Sequence, residues 1–228
     1  MVDRSTLFEA MGLGPVWTLR QGDARPTDSS VMGNVDLAEL QQQVETCQAC
    51  GLCKSRQQTV FADGQTNAPL MVVGEAPGAE EDATGLPFVG RAGQLLDRML
   101  LAVGATRSSN TYIANVLKCR PPGNRDPEPS EIEQCLPYLH QQIQQVAPQA
   151  ILLVGRFAMQ ALLRTDQAVG KLRGQVHWVE LAGLRIPAVA TYHPAYLLRR
   201  PEEKSKAWDD LLLLKQQVEC LQGGLRRS

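Results

Sequence analysis

Pro69-Leu70-Met71-Val72-Val73 runs directly into Gly74-Glu75-Ala76-Pro77-Gly78, and this stretch decides the fold. A short apolar run with no polar alternation reads as a strand buried on both faces, as in a parallel sheet. The glycines that follow mark a tight loop at the strand's carboxyl end. An amphipathic helix comes next, with Leu95, Leu96, Met99, Leu100 and Val103 at helical spacing. The pattern then repeats. Tyr112–Leu117 reads as a strand, and a Pro-rich loop runs to Pro129. Ser130 and Glu133 have capping-box spacing at the head of a helix that reaches about Val146. Ala150–Val154 reads as a strand and Arg156–Leu163 as a helix. Val176–Leu181 and Leu184–Thr191 flank Ala182-Gly183 as a hairpin, with Pro187 pointing to an edge or a break. His193-Pro194 ends the last strand, and a final helix spans about Pro201 to Cys220.

Strand, loop and helix in repetition predict a three-layer α/β/α fold with a mostly parallel central four-stranded sheet. Ligands of such sheets sit beyond the strands' carboxyl ends. The loops leaving those ends are Gly74–Gly78, Lys118–Pro122, Gly155–Phe157 and His193–Tyr196.

Upstream, residues 21–35 are polar and turn-rich and read as a linker, with a short helix near Ser5–Met11 before it. Asp36 and Glu39 have capping-box spacing for a helix to about Thr46. The expected organisation is an extension at 1–35, a domain at 36–222 and a tail at 223–228. Hydrophobic residues make up 43% of the 228, enough for a real core. No stretch approaches the ~20 apolar residues of a membrane span, and Met1–Arg20 lacks the apolar centre of a secretory signal. No membrane association, a cytoplasmic location beside the nucleoid and a monomer are expected. A net charge of −1 gives no global attraction to nucleic acid. Local clusters such as Lys118, Arg120 and Arg125, or Arg199 with Arg200, would have to supply it. A solvated surface is the plain alternative for each.

Six cysteines stand at 47, 50, 53, 119, 135 and 220. Cys47-x-x-Cys50 follows a helix, whereas a redox pair usually precedes one. With Cys119 and Cys135 it makes two sequence-distant pairs, which suit a tetrahedral sulfur site for zinc or an iron–sulfur cluster. Spacing does not choose between them, and Cys53 competes with its neighbours.

The Gly74–Gly78 loop lacks the lysine of a phosphate-binding loop. It carries carboxylates at Glu75, Glu80, Glu81 and Asp82 instead. They oppose a nucleoside triphosphate and suit a site that faces a cation or orients water. Acidic charge at a helix N-terminus is the structural alternative. Phe88, Asn115 and His193 likewise have core or structural readings when taken singly.

Gly74–Asp82, Pro87-Phe88-Val89-Gly90, Ile113-Ala114-Asn115, Lys118-Cys119-Arg120-Pro121-Pro122 and His193–Arg199 occur in order and in step with the cysteines. Together they resemble the family 4, iron–sulfur branch of the uracil-DNA glycosylases, over about Leu37 to Val218. The resemblance implies a 4Fe–4S cluster on Cys47, Cys50, Cys119 and Cys135. It implies uracil-containing DNA, single- or double-stranded, as the partner. It implies Phe88 as the ring stacked on a flipped uracil, Asn115 as reader of its edge and His193 as donor to its O2. Glu75 would position water and face the cationic sugar. Glu81 would crowd C5 and so exclude thymine. Gly74, with the main-chain amides of Glu75 and Ala76, would touch the base. Arg199, Lys118 and Arg120 would contact DNA. Three activities fit: a turnover hydrolase, a covalent uracil trap, and a non-catalytic module tied to a polymerase. The trap uses a His in a basic insert, and no His lies between Cys119 and Cys135.

Overall fold

In the computed structural model, residues 36–224 are described, with side chains to 218. The expected helix at Ser5–Met11, the linker at 21–35 and most of the tail lie outside them. The elements in order are α1 (Leu37–Glu45), β1 (Asp63–Gly64), β2 (Leu70–Gly74), α2 (Ala79–Thr84), α3 (Arg91–Ala102) and β3 (Thr111–Asn115). Then follow α4 (Pro129–Val146), β4 (Ala150–Val154), α5 (Arg156–Leu163), α6 (Val169–Leu172), β5 (Val176–Leu181), β6 (Leu184–Thr191), α7 (Pro194–Arg199) and α8 (Lys204–Gly224).

The sheet has six strands in the order β1-β3-β2-β4-β6-β5, not four. Its inner strands β3, β2, β4 and β6 are mutually parallel, and β1 and β5 are antiparallel edges. β1 was illegible because two residues carry no periodicity. Pro187 neither breaks β6 nor puts it on an edge. It faces Trp178 of β5, and pairing with β4 begins only at Ala188, so its missing N–H is not needed there.

All five residues of β2 are buried, as the unbroken apolar run predicts. Met71 and Val73 pack toward Leu139 and Ile143 of α4 and Met159 of α5. Leu70 and Val72 pack toward Leu96 and Leu100 of α3 and Leu211 and Leu214 of α8. Helices thus cover both faces. From β2 the chain steps first to β3 on one side and then to β4 on the other, which opens a crevice at the strands' carboxyl ends.

Two helix starts repay comparison. Asp36 accepts a hydrogen bond from Glu39 N at 2.8 Å, as its spacing predicts. The head of α4 is not Ser130 with Glu133. It is Glu128 with Glu131, whose carboxylate reaches back to Glu128 N at 2.9 Å. Pro129 decides this, because the first helical position needs no N–H. Arg125 then grips the same carboxylate with two bonds, of 2.9 and 2.6 Å.

Candidate active site

A cavity of about 450 Å³ opens at that crevice. Its walls come from Glu75–Gly78, Phe88, Asn115, the 121–126 loop and His193–Arg199. Asn115 ends β3 directly beside Gly74 of β2. A Cβ on Gly74 would lie 2.4 Å from Asn115 Oδ1 and 2.5 Å from Phe88 Cζ. Glycine is therefore what lets the amide and the ring converge. Asn115 is 2% exposed, and its Oδ1 has no hydrogen-bond partner. A buried amide oxygen left unpaired costs about 1–3 kcal/mol, so the site is built for a donor that arrives from outside.

Phe88 stacks near His193, with ring centroids 5.7 Å apart and planes 29° from parallel. Its backbone has φ +55°, a left-handed conformation unfavourable for an aromatic residue. Charges of both signs hold it there. Arg107 donates to the carbonyls of Pro87 and Phe88 at 2.7 and 2.5 Å, and is itself fixed by Asp97 and Asp63 at 2.7 and 3.0 Å. On the other side, Glu81 accepts from Val89 N, Gly90 N and Gly78 N at 3.0, 3.2 and 3.0 Å. Gly93 completes the seat, since a Cβ there would meet Phe88 O at 1.7 Å. Glu81 lines the cavity, yet both of its oxygens already serve main-chain amides.

His193 caps α7, and its Nδ1 accepts from Ala195 N at 3.2 Å. Burial, reinforced by the charge of Arg199 and opposed by that of Glu81, pulls the imidazole down to about 4. At neutral pH the ring is uncharged. With Nδ1 as acceptor its proton sits on Nε2. Gly155, at φ +90°, lies 3.1 Å from His193 Cβ when given a Cβ, so its small size admits the ring. Glu75 is pushed up to about 7 by burial and by the negative charge of Asp126, against the pull of Arg156. Arg156 pairs with Asp126 at 2.6 Å.

The basic residues divide. Arg199 is exposed at the cavity's edge. Arg120 donates to Asn124 at 2.7 Å and stays half-buried. Lys118 cannot touch DNA. It is 1% exposed, and its Nζ donates to Asn115 O at 2.7 Å and Gln142 Oε1 at 2.5 Å. Burial pulls its amine down to about 8, partly offset by Cys135 and Cys119. Sequence reasoning missed Arg107 and Asp126, which lie in no motif. It also missed α7, whose proline sits at the first helical position.

Cys47, Cys50, Cys119 and Cys135 line one small second cavity, together with Cys53, Arg56 and Tyr138. All of these cysteines are free thiols, and the side chain of Cys220 lies outside the described residues. Arg56 donates to Cys119 Sγ at 3.2 Å, and Lys118 N donates to Cys135 Sγ at 3.2 Å. Burial pushes Cys135 up to about 11. Burial also raises Cys119, with Cys50 and Cys47 adding to the rise. Buried thiols that resist ionisation while N–H groups point at their sulfurs fit a cationic iron–sulfur core, which would draw the protons off. Among the described residues no three His, Cys, Asp or Glu side chains close around a single ion.

The fold and both cavities define a class. The uracil DNA glycosylase superfamily profile matches residues 61–212, and the chain belongs to that superfamily. The chain is 40% identical over 183 residues to a type-4 uracil-DNA glycosylase of Pyrobaculum aerophilum, covering 78% of this chain and 93% of that one. It is 40% identical over 178 residues to the type-4 uracil-DNA glycosylase of Archaeoglobus fulgidus, covering 76% and 89%. A type-4 uracil-DNA glycosylase of Thermotoga maritima is 40% identical over 162 residues, covering 70% and 82%.

Proposed function

We propose that this chain excises uracil from DNA by hydrolysing its N-glycosidic bond, leaving free uracil and an abasic site. The observation that carries the reading is the unpartnered Oδ1 of buried Asn115, set beside Phe88 in a cavity that also holds His193. The type-4 relatives support the same reaction.

A base in the stack is out of reach, so uracil enters flipped. Phe88 covers one face. Asn115 Oδ1 accepts the N3–H that uracil presents and cytosine lacks. His193 Nε2–H points its dipole at O2, where negative charge gathers as the bond to the sugar lengthens. The ring is neutral, so it stabilises the leaving uracil anion without first giving up a proton. Glu75, held near 7, takes a proton from the attacking water once it is ionised, and its charge faces the cationic sugar. Arg199 and Arg120 are the residues we assign to phosphate. The Gly74, Glu75 and Ala76 backbone borders the base, and Glu81 acts by holding the Phe88 loop.

Cys47, Cys50, Cys119 and Cys135 would hold a 4Fe–4S cluster. When bound it would cross-link the segments that carry these residues.

Uracil-containing single-stranded oligonucleotide, incubated with the protein and then treated with hot alkali, tests the function. Strand cleavage at uracil is expected. A denaturant-stable protein–DNA adduct would instead establish the covalent trap, and intact DNA would leave a non-catalytic module.

A further inference from the structure

Lys118 is a poor surface residue and an unusual core residue. Its side chain is among the largest in the chain to be wholly enclosed. Both acceptors of its ammonium are neutral: the Asn115 carbonyl at 2.7 Å and Gln142 Oε1 at 2.5 Å. Gln142 is oriented for this, because its Nε2 donates to Phe61 O and Tyr112 OH, both at 3.1 Å. Among the described residues no ion pair joins Lys118 to a carboxylate. Lys118 also borders the cysteine cavity.

A buried cation is costly unless an anion compensates it. A carboxylate does not provide one here. A cluster bound by four thiolates would, because it is anionic overall whatever its iron state. The position of Lys118 is equally informative on the other side. Its second bond is to the main chain of the residue whose amide faces the candidate active site. Main-chain bonds from Val116 N to Gly74 O and Leu117 N to Glu75 O fasten the same stretch to the catalytic loop, both at 3.0 Å.

We propose that Lys118 is the internal counter-ion of the cluster on Cys47, Cys50, Cys119 and Cys135, and that its bond to Asn115 O ties that cluster to the uracil-reading strand. Lys118 is thus a positioning residue, and its assignment as a DNA contact is replaced by this one. The inference rests on the cluster reading above.

Wild-type protein purified anaerobically is first assayed for iron and acid-labile sulfide. Their absence there overturns the cluster reading itself. With the cluster present, Lys118→Met and Gln142→Glu are compared with wild type. The first removes the charge. The second keeps the lysine but sets a carboxylate against it. Both are expected to shift the cluster's midpoint potential to more negative values, since a cation nearby favours the reduced form. Both are expected to lose iron to a chelator several-fold faster. Lys118→Met should also lower kcat, through Asn115. Gln142→Glu, which keeps the bond to Asn115 O, should affect kcat less. Unchanged potentials and unchanged chelation rates in either folded variant overturn the proposal. If Lys118→Met does not fold, Gln142→Glu decides alone.

Discussion

Phe88 is costly to keep where it is, and the chain devotes charged groups to keeping it there. The expected role of Arg107 is to act through that ring. Arg107→Met should lower kcat/KM about tenfold, equivalent to ~1.4 kcal/mol. In a Phe88→Ala background the same change should do almost nothing. A full tenfold loss in both backgrounds would separate the two residues. His193→Ala should lower kcat by ~100-fold, the scale of removing one oriented donor from a developing anion. Asn115→Ala, which removes the acceptor for uracil N3–H, should strongly lower kcat/KM. Both proteins should keep whatever visible absorption the wild type shows from the proposed cluster. Wild-type rates in both would remove these residues from the site. Glu75 links activity to pH and to stability with opposite signs. Its acid form is favoured in the folded chain, at about 7 against an ordinary 4.5. As a base it works only when ionised, so kcat should rise through pH 7, while His193 stays neutral above about 5. Ionisation also opposes burial. The stability that the protonated carboxyl preserves is present below pH 4.5 and lost as pH rises through 7. Glu75→Gln should therefore be inactive yet more stable than wild type at pH 8, by on the order of 2 kcal/mol after allowance for solvent screening, and no more stable at pH 4. Paired denaturant melts at the two pH values check this.

Among the elements, β2 and its loop were the most legible. An unbroken apolar run can only be a strand or a buried helix segment, and Gly74 at its end settles which. The outcome is physical: the same glycine that ends the strand makes room for Asn115 and Phe88. The α4 start was misread because Ser130 and Glu133 satisfy a spacing rule, whereas Pro129, which fits the first helical position, sets the start at Glu128 with Glu131. Arg107 was illegible because its contacts are tertiary. Nothing in its neighbourhood marks it, and its four partners come from three other segments. Gly93 lies inside α3, and the close approach of Phe88 O explains it. Gly93→Ala should destabilise the protein by ~2–3 kcal/mol through overpacking and lower activity by disturbing the ring, measurable by melting and by turnover. On α7, exposed Arg199 should behave as a phosphate contact. Arg199→Ala should reduce the slope of log affinity against log salt by about one. A slope equal to wild type would make Arg199 a local electrostatic partner of His193 only.

At the scale of the molecule, the two cavities lie at either end of one short stretch, Asn115 to Cys119. Stripping the proposed cluster with an oxidant and chelator should lower the melting temperature by on the order of 10 °C, since binding free energy of this kind is folding free energy. Among the described residues no helix is long and apolar enough to cross a membrane. The short motifs carry most of the residues that line the cavity at the strands' carboxyl ends. They could not show which motif residues face inward, and Lys118 was misplaced on that account. The bracket around Phe88 carries one more consequence. Glu81 and Arg107 hold the ring through main-chain contacts that need no DNA. The receptacle is therefore finished before any strand arrives, and it does not distinguish a base still joined to its sugar from one already released. Free uracil should fit it, compete with substrate and slow the later turnovers of every progress curve.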